Sequence, residues 1–155
     1  MTERSIVHGS FTVKRSYKSN PEKVFRAWAD PALKRQWFGS PDPANPKHIF
    51  EFKVGGREFT EGAGPGGAMF TFDVRYYDIV PDNRIVYAYD MHLNGERISV
   101  SVATVEFRPD GPGTRLIVTE HGAFLDGLDT NKQREEGTNF IIDQLGALLE
   151  NQAAK

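Results

Sequence analysis

Few residues of this chain can do chemistry, and the missing types narrow the field first. There is no cysteine among the 155 residues, which removes thiolate nucleophiles, disulfides and thiolate metal ligands. No G-x-S-x-G elbow presents a serine. The histidines His8, His48, His92 and His121 show no H-x-x-x-H pairing, and converging ligands are what a metal site requires. His8 and His121 become neighbours only if the first and last strands pair. The run Gly62-Ala63-Gly64-Pro65-Gly66-Gly67 matches G-x-G-x-x-G in form. A phosphate cradle needs a helix N-terminus after it, whereas here a strand follows and Pro65 removes an amide donor. The run reads as a hairpin tip beside a pocket. What remains is one carboxylate and one guanidinium. Glu120 shares the parity of Leu116 and Val118 and so points to the buried face of a strand, and Arg134 lies on the inward stripe of the last helix. Entering an apolar space from opposite walls, the two can orient a polar ligand group or take part in proton transfer. The plainer alternative is a structural ion pair locking helix to sheet, since buried charges need partners.

The elements that must position these groups are legible in the periodicity. Residues 6–17 alternate, with Phe11, Val13 and Tyr17 on one face, as a half-buried strand does. Asn20-Pro21 and Asp30-Pro31 each place a capping residue before a proline at the first helical position. They predict two short helices, carrying Val24, Phe25 and Trp28, then Leu33 and Trp37, bent at the second proline. The Gly/Ser/Pro-rich segment 39–46 breaks regular structure. Strands are predicted over 48–54, 57–61, 69–79, 85–91 and 97–108, with a last strand from Leu116 to His121-Gly122. Asn94-Gly95 marks a tight hairpin. The apolar phase changes within 97–108, from Ile98, Val100 and Val102 to Val105 and Phe107, which predicts a β-bulge near Ala103. Asp129 is read as the cap of a helix over 130–150, whose stripe is Ile141, Leu145 and Leu148, widened by Phe140, Ile142 and Leu149. Gly137 lies on that stripe, where a glycine costs helix stability and suggests close approach to another element.

Composition bounds the rest. A chain of this length has the size of one domain, and residues 1–155 are read as one. The formal charge of −2 and the absence of a dense Lys/Arg block argue against nucleic acid as a partner. No apolar run approaches the roughly 20 residues of a membrane span, and the N-terminus lacks the apolar core of a secretion signal, so a cytoplasmic protein is expected. A homodimer is left open. Eleven phenylalanines supply a core of large aromatics. The candidate pocket set is Trp28, Trp37, Phe38, Phe59, Phe70, Phe72, Tyr87, Tyr89, Phe124 and Phe140, together with Glu120 and Arg134. Aromatics with a few polar groups are the usual lining of small-ligand sites. No cofactor and no metal is called for.

Several motifs occur in order along nearly the whole chain: Val24-Phe25-Arg26-Ala27-Trp28 with Asp30-Pro31 and Trp37-Phe38; Val54-Gly55-Gly56-Arg57; Asp78-Ile79-Val80-Pro81 with Arg84-Ile85-Val86-Tyr87; Gly113-Thr114-Arg115-Leu116; and Arg134-Glu135-Glu136-Gly137. In this ordered set the sequence resembles the activator-of-heat-shock-protein-90-ATPase-like proteins of the START/Bet v 1 (polyketide-cyclase-like) superfamily. The resemblance implies an α+β helix-grip fold, a curved antiparallel sheet of about seven strands around a long C-terminal helix, with two short helices after the first strand. It also implies a hydrophobic or aromatic small molecule held between sheet and helix, without defined catalysis. A cyclase- or hydrolase-type enzyme using Glu120 and Arg134, and a chaperone-associated or stress-response interaction protein, are the alternatives. Many members have Gly-Trp in the last helix, where this chain has Gly137-Thr138. Chaperone activation in the family goes with an additional N-terminal domain, for which this length leaves no room.

Overall fold

The computed structural model describes residues 3–38, 47–63 and 65–153. The predicted break at 39–46, and Gly64 of the glycine run, lie outside the described residues. The chain runs β1 (Ile6–Tyr17), α1 (Pro21–Ala29), α2 (Pro31–Trp37), β2 (Ile49–Phe50), β3 (Arg57–Ala63), β4 (Met69–Val80), β5 (Arg84–Leu93), β6 (Glu96–Asp110), β7 (Gly113–Leu125) and α3 (Asn131–Ala153). All seven strands form one antiparallel sheet in the order β1-β7-β6-β5-β4-β3-β2. Successive hairpins account for every neighbour except β1, which returns to pair with β7 and places Phe11 opposite Glu120. One face of the sheet is covered by α3 and the α1–α2 bracket, which gives the α+β helix-grip architecture.

The bracket forms as its caps require. Asn20 Oδ1 accepts from the Lys23 amide at 2.9 Å, and Asp30 Oδ1 from the Ala32 amide at 2.9 Å, so each helix begins with a satisfied donor. The bend brings Trp28 against Trp37, ring centroids 4.7 Å apart at 67°. The Trp37 indole N–H donates to the Ala27 carbonyl at 2.9 Å, which lets a fully buried indole keep its hydrogen bond. At Asn94-Gly95 both residues have positive φ, 51° and 83°, as a two-residue primed turn needs.

Four expectations are corrected. The predicted strand over 48–54 is ordered as strand only at Ile49–Phe50, because 51–56 fold into turns with Lys53 N–H on Glu51 O at 3.0 Å and Gly56 N–H on Lys53 O at 2.8 Å. The last strand continues past Gly122 to Leu125, pairing Gly122 with Gly9. There is no bulge at Ala103, which pairs regularly with Tyr87. The register shifts instead between Met91 and His92, where Ile98 is the extra residue in β6, and again between Tyr76 and Asp78 in β4. Beyond Ile98, Ser99 and Ser101 point inward and are buried, while Val100 and Val102 are exposed on the outer face. The fourth correction concerns α3. Its buried line is Thr138, Ile142, Leu145 and Leu149, and a Cβ at Gly137 would meet nothing closer than Arg134 Nη1 at 4.0 Å. The close approach is at Gly146, where a Cβ would lie 3.2 Å from the Tyr17 ring; the Tyr17 hydroxyl donates to the Ile142 carbonyl at 3.0 Å.

Candidate ligand-binding site

Between the inner face of the sheet and the first turns of α3 lies a cavity of about 550 Å³. Its existence follows from side-chain size. Toward its C-terminus α3 sinks Leu145 and Leu149 into the core, but near its N-terminus it presents Gly137 and Thr138 to the sheet. The sheet there offers Phe70, Phe72, Tyr87, Tyr89 and Met91, which cannot close the gap, and Phe38 from the end of the bracket completes the wall. The rings touch one another: Phe72 lies 4.6 Å from Tyr89 and 5.0 Å from Phe38, centroid to centroid. A slightly larger cleft, about 610 Å³, lies on the outside between α1, α2 and the end of α3, lined by Lys23, Arg26, Gln36 and Asn151 among others. It contains no aromatic residue and none of the buried polar groups.

Of the aromatic residues predicted to line a pocket, Phe38, Phe70, Phe72, Tyr87, Tyr89 and Phe140 do so, Phe140 at the mouth with 65% exposure. Trp28 and Trp37 are not brought to it; they are core, sealed against each other and, for Trp28, against Phe107. Phe59 faces away, because β3 buries Glu58 and Thr60 on the alternate parity, and Arg57 covers its ring at 5.3 Å. Phe124 is buried but lies where β1, β6 and β7 pair, packed beside Gly122. Parity arguments cannot tell cavity from core along one face, and Phe59 shows that a short strand can have the opposite parity from the one its largest residue suggests.

Glu120 and Arg134 both line the cavity, but no ion pair joins them. Glu120 is held by hydroxyls: Tyr89 donates to Oε1 in a short hydrogen bond, and Thr138 Oγ1 donates to Oε2 at 3.0 Å. Burial pushes the Glu120 carboxyl above the ordinary carboxylate range, only partly opposed by these two donors and the charge of Arg134. Burial, and then the charge of Glu120, likewise raise the phenols of Tyr87 and Tyr89 well above their usual value, so both are neutral donors at physiological pH. Arg134 finds its carboxylate elsewhere, in Asp129, with Nε to Oδ2 at 2.8 Å. The predicted cap is corrected with it: Thr130 Oγ1 accepts from the Gln133 amide at 3.1 Å and caps α3, while Asp129 is buried. Thr138, at the position where family members often carry tryptophan, is part of the polar end.

The sequence reading missed a second buried polar group. Lys34 Nζ contacts Glu58 Oε1 at 2.7 Å and the Tyr76 hydroxyl at 3.2 Å, and Tyr76 donates a short bond to the same glutamate oxygen. The ammonium also lies over the rings of Phe38 and Phe50, at 4.7 and 5.2 Å. The available signal was parity: Glu58 alternates with Thr60 in a strand that has one buried face. His8 and His121 lie on adjacent strands, exposed on the outer face. Among the described residues no group of three or more His, Asp or Glu side chains is arranged to hold a metal ion, and no helix is long and apolar enough to cross a membrane.

The covering helix and the curved sheet, with an aromatic-lined cavity open at one side between them, define a helix-grip protein. The chain belongs to the Activator of Hsp90 ATPase homolog 1-like protein family, whose model matches residues 18–150. It is similar to the Mll3558 protein of Rhizobium loti, at 43% identity and a TM-score of 0.86, covering 93% of this chain and 99% of that one. A Rhizobium leguminosarum protein is 39% identical with a TM-score of 0.89, over 97% of this chain and 99% of that one. DynU16, from the dynemicin biosynthetic locus, is 19% identical with a TM-score of 0.66 over 91% of this chain and 47% of that one, a likeness of fold alone. No curated protein matches the chain.

Proposed function

We propose that this protein binds a small, largely aromatic or hydrophobic molecule in the cavity between sheet and α3, without covalent chemistry. The observation that carries the reading is the lining itself: a wall of aromatic rings with a polar cluster of Glu120, Thr138 and Arg134 on one side and Thr60 on the other. About 550 Å³ is within the range of small-molecule sites, and a few fixed polar groups in an apolar wall orient a ligand rather than drive its uptake. Both Glu120 oxygens accept hydrogen bonds, from Tyr89 and Thr138, which hold the group in place as an orienting acceptor. The test is a thermal-shift and NMR screen of the purified protein against a broad set of hydrophobic compounds. Binders should raise the Tm and perturb resonances of Phe72, Tyr89 and Thr138 together. A library that produces neither effect removes the reading.

A further inference from the structure

The polar end of the cavity is lined by one cation and one carboxylate, Arg134 and Glu120, with a second carboxylate, Asp129, buried behind the cation. Their pairing determines which ligand head group it can accept. The Asp129 carboxylate, with 2% side-chain exposure, pairs with Arg134 Nε at 2.8 Å, and its other oxygen accepts from the Thr130 amide at 2.8 Å. The charge of Arg134 is thus balanced inside the wall before any ligand arrives. Its Nη1 meets only the Met91 sulfur, at 2.7 Å, and a thioether is a weak acceptor. Among the described residues no oxygen accepts from Nη1 or Nη2. The wall therefore offers strong hydrogen-bond donors without a surplus of positive charge. Glu120 faces the same space, its oxygens held by Tyr89 and Thr138.

A ligand carboxylate entering this end gives up its hydration and meets two carboxylates around a single, already paired cation. A carbonyl oxygen gives up far less and accepts from the same guanidinium. We propose that the cavity selects a neutral aromatic ligand bearing a carbonyl-type acceptor over the matching carboxylate, with Arg134 reading the acceptor and Asp129 setting the preference. Asp129 acts here as a positioning and charge-balancing residue. The inference rests on the cavity being a binding site, and goes beyond it by naming the head group.

Three probes of one skeleton test it: acetylnaphthalene, naphthoate and ethylnaphthalene, titrated by NMR chemical shift into the whole protein. In the wild type the ketone should bind about tenfold tighter than the anion, since specificity here comes from unpaired charge set against the wrong ligand. Asp129→Asn keeps an oxygen for the Thr130 amide and frees the charge of Arg134; it should erase or reverse that ratio, which a merely structural defect does not do. Arg134→Met should bring the ketone down to the affinity of ethylnaphthalene and leave the hydrocarbon unchanged. Equal binding of ketone and anion by the wild type overturns the inference and leaves the cavity a binding site. So does an unchanged ratio in Asp129→Asn. If that variant does not fold, a ketone advantage that survives Arg134→Met overturns the inference. Failure of all three probes to bind the wild type removes the binding reading, and the inference with it.

Discussion

Glu58 and Glu120 are two glutamates on the same inner face, both nearly inaccessible at 3% and 4% exposure, and both accept a short hydrogen bond from a tyrosine. They differ in what else they face. Glu58 has an ammonium at 2.7 Å and close-packed rings around it, with only about 30 Å³ of free space nearby. Glu120 has a second hydroxyl in place of a cation, and opens on the cavity. A buried carboxylate with its counter-charge in contact is a complete structural unit. One held by hydroxyls, with a cation only at longer range, stays electrostatically strained, and burial raises its pKa. Strained groups of this kind gather at functional sites, so the comparison separates a brace from a site within one sheet.

The largest effect should come from breaking the brace. Lys34→Met leaves Glu58 buried without its cation and should cost about 3–5 kcal/mol of stability, since an uncompensated interior charge is worse than none. Urea denaturation of the single variant and of Lys34→Met/Glu58→Gln should show the double variant recovering part of the loss. If each single variant costs under ~1 kcal/mol, the pair is a surface-like contact and the contrast with Glu120 collapses.

Next in size is the pH response of Glu120. Its folded pKa is raised, so the native state holds the proton more tightly than the unfolded chain does. The resulting contribution to stability is fully present below the ordinary carboxyl value of 4.5 and is lost as pH rises through the folded value. Glu120→Gln should therefore gain on the wild type as pH rises above the ordinary carboxyl value of 4.5, read by denaturation in each buffer. A difference that shrinks with rising pH would mean that the two hydroxyls outweigh burial.

Thr138→Val removes one of those hydroxyls and should cost about 1–2 kcal/mol near neutral pH. It should also move the Glu120 carboxyl further upward, read from its side-chain carbon shift by NMR. The smallest effect has the opposite sign. Gly137→Ala puts a methyl into open cavity and relieves a helical glycine, for a gain of up to about 1 kcal/mol. The corresponding change at Gly146, where the Cβ would crowd the Tyr17 ring at 3.2 Å, should destabilise.

Much of the fold was legible because the patterns that encode it are local. The capped prolines Asn20-Pro21 and Asp30-Pro31, the Asn94-Gly95 turn and the period-two strands act over a few residues and appear as read. The bulge was misplaced because Ile98, Val100 and Val102 are all apolar, and an exposed valine looks like a buried one until the partner strand fixes the register. Glu120 was found by parity with Leu116 and Val118. Glu58 was passed over because Phe59 beside it is the larger and more apolar residue.

For the site, the sequence by itself determined the materials: the aromatic inner face, the inward Glu120, and the small residues Gly137 and Thr138 on α3. Only the tertiary structure decided the partnerships. Asp129 is five residues before Arg134 and reads as a helix cap, yet it takes the guanidinium that Glu120 was expected to share. Lys34 and Glu58 are joined across 24 positions by the packing of the bracket on β3. Which charge meets which is set by where the chain returns, at distances of a few ångströms that no local spacing encodes. In this protein that choice separates the brace from the cavity.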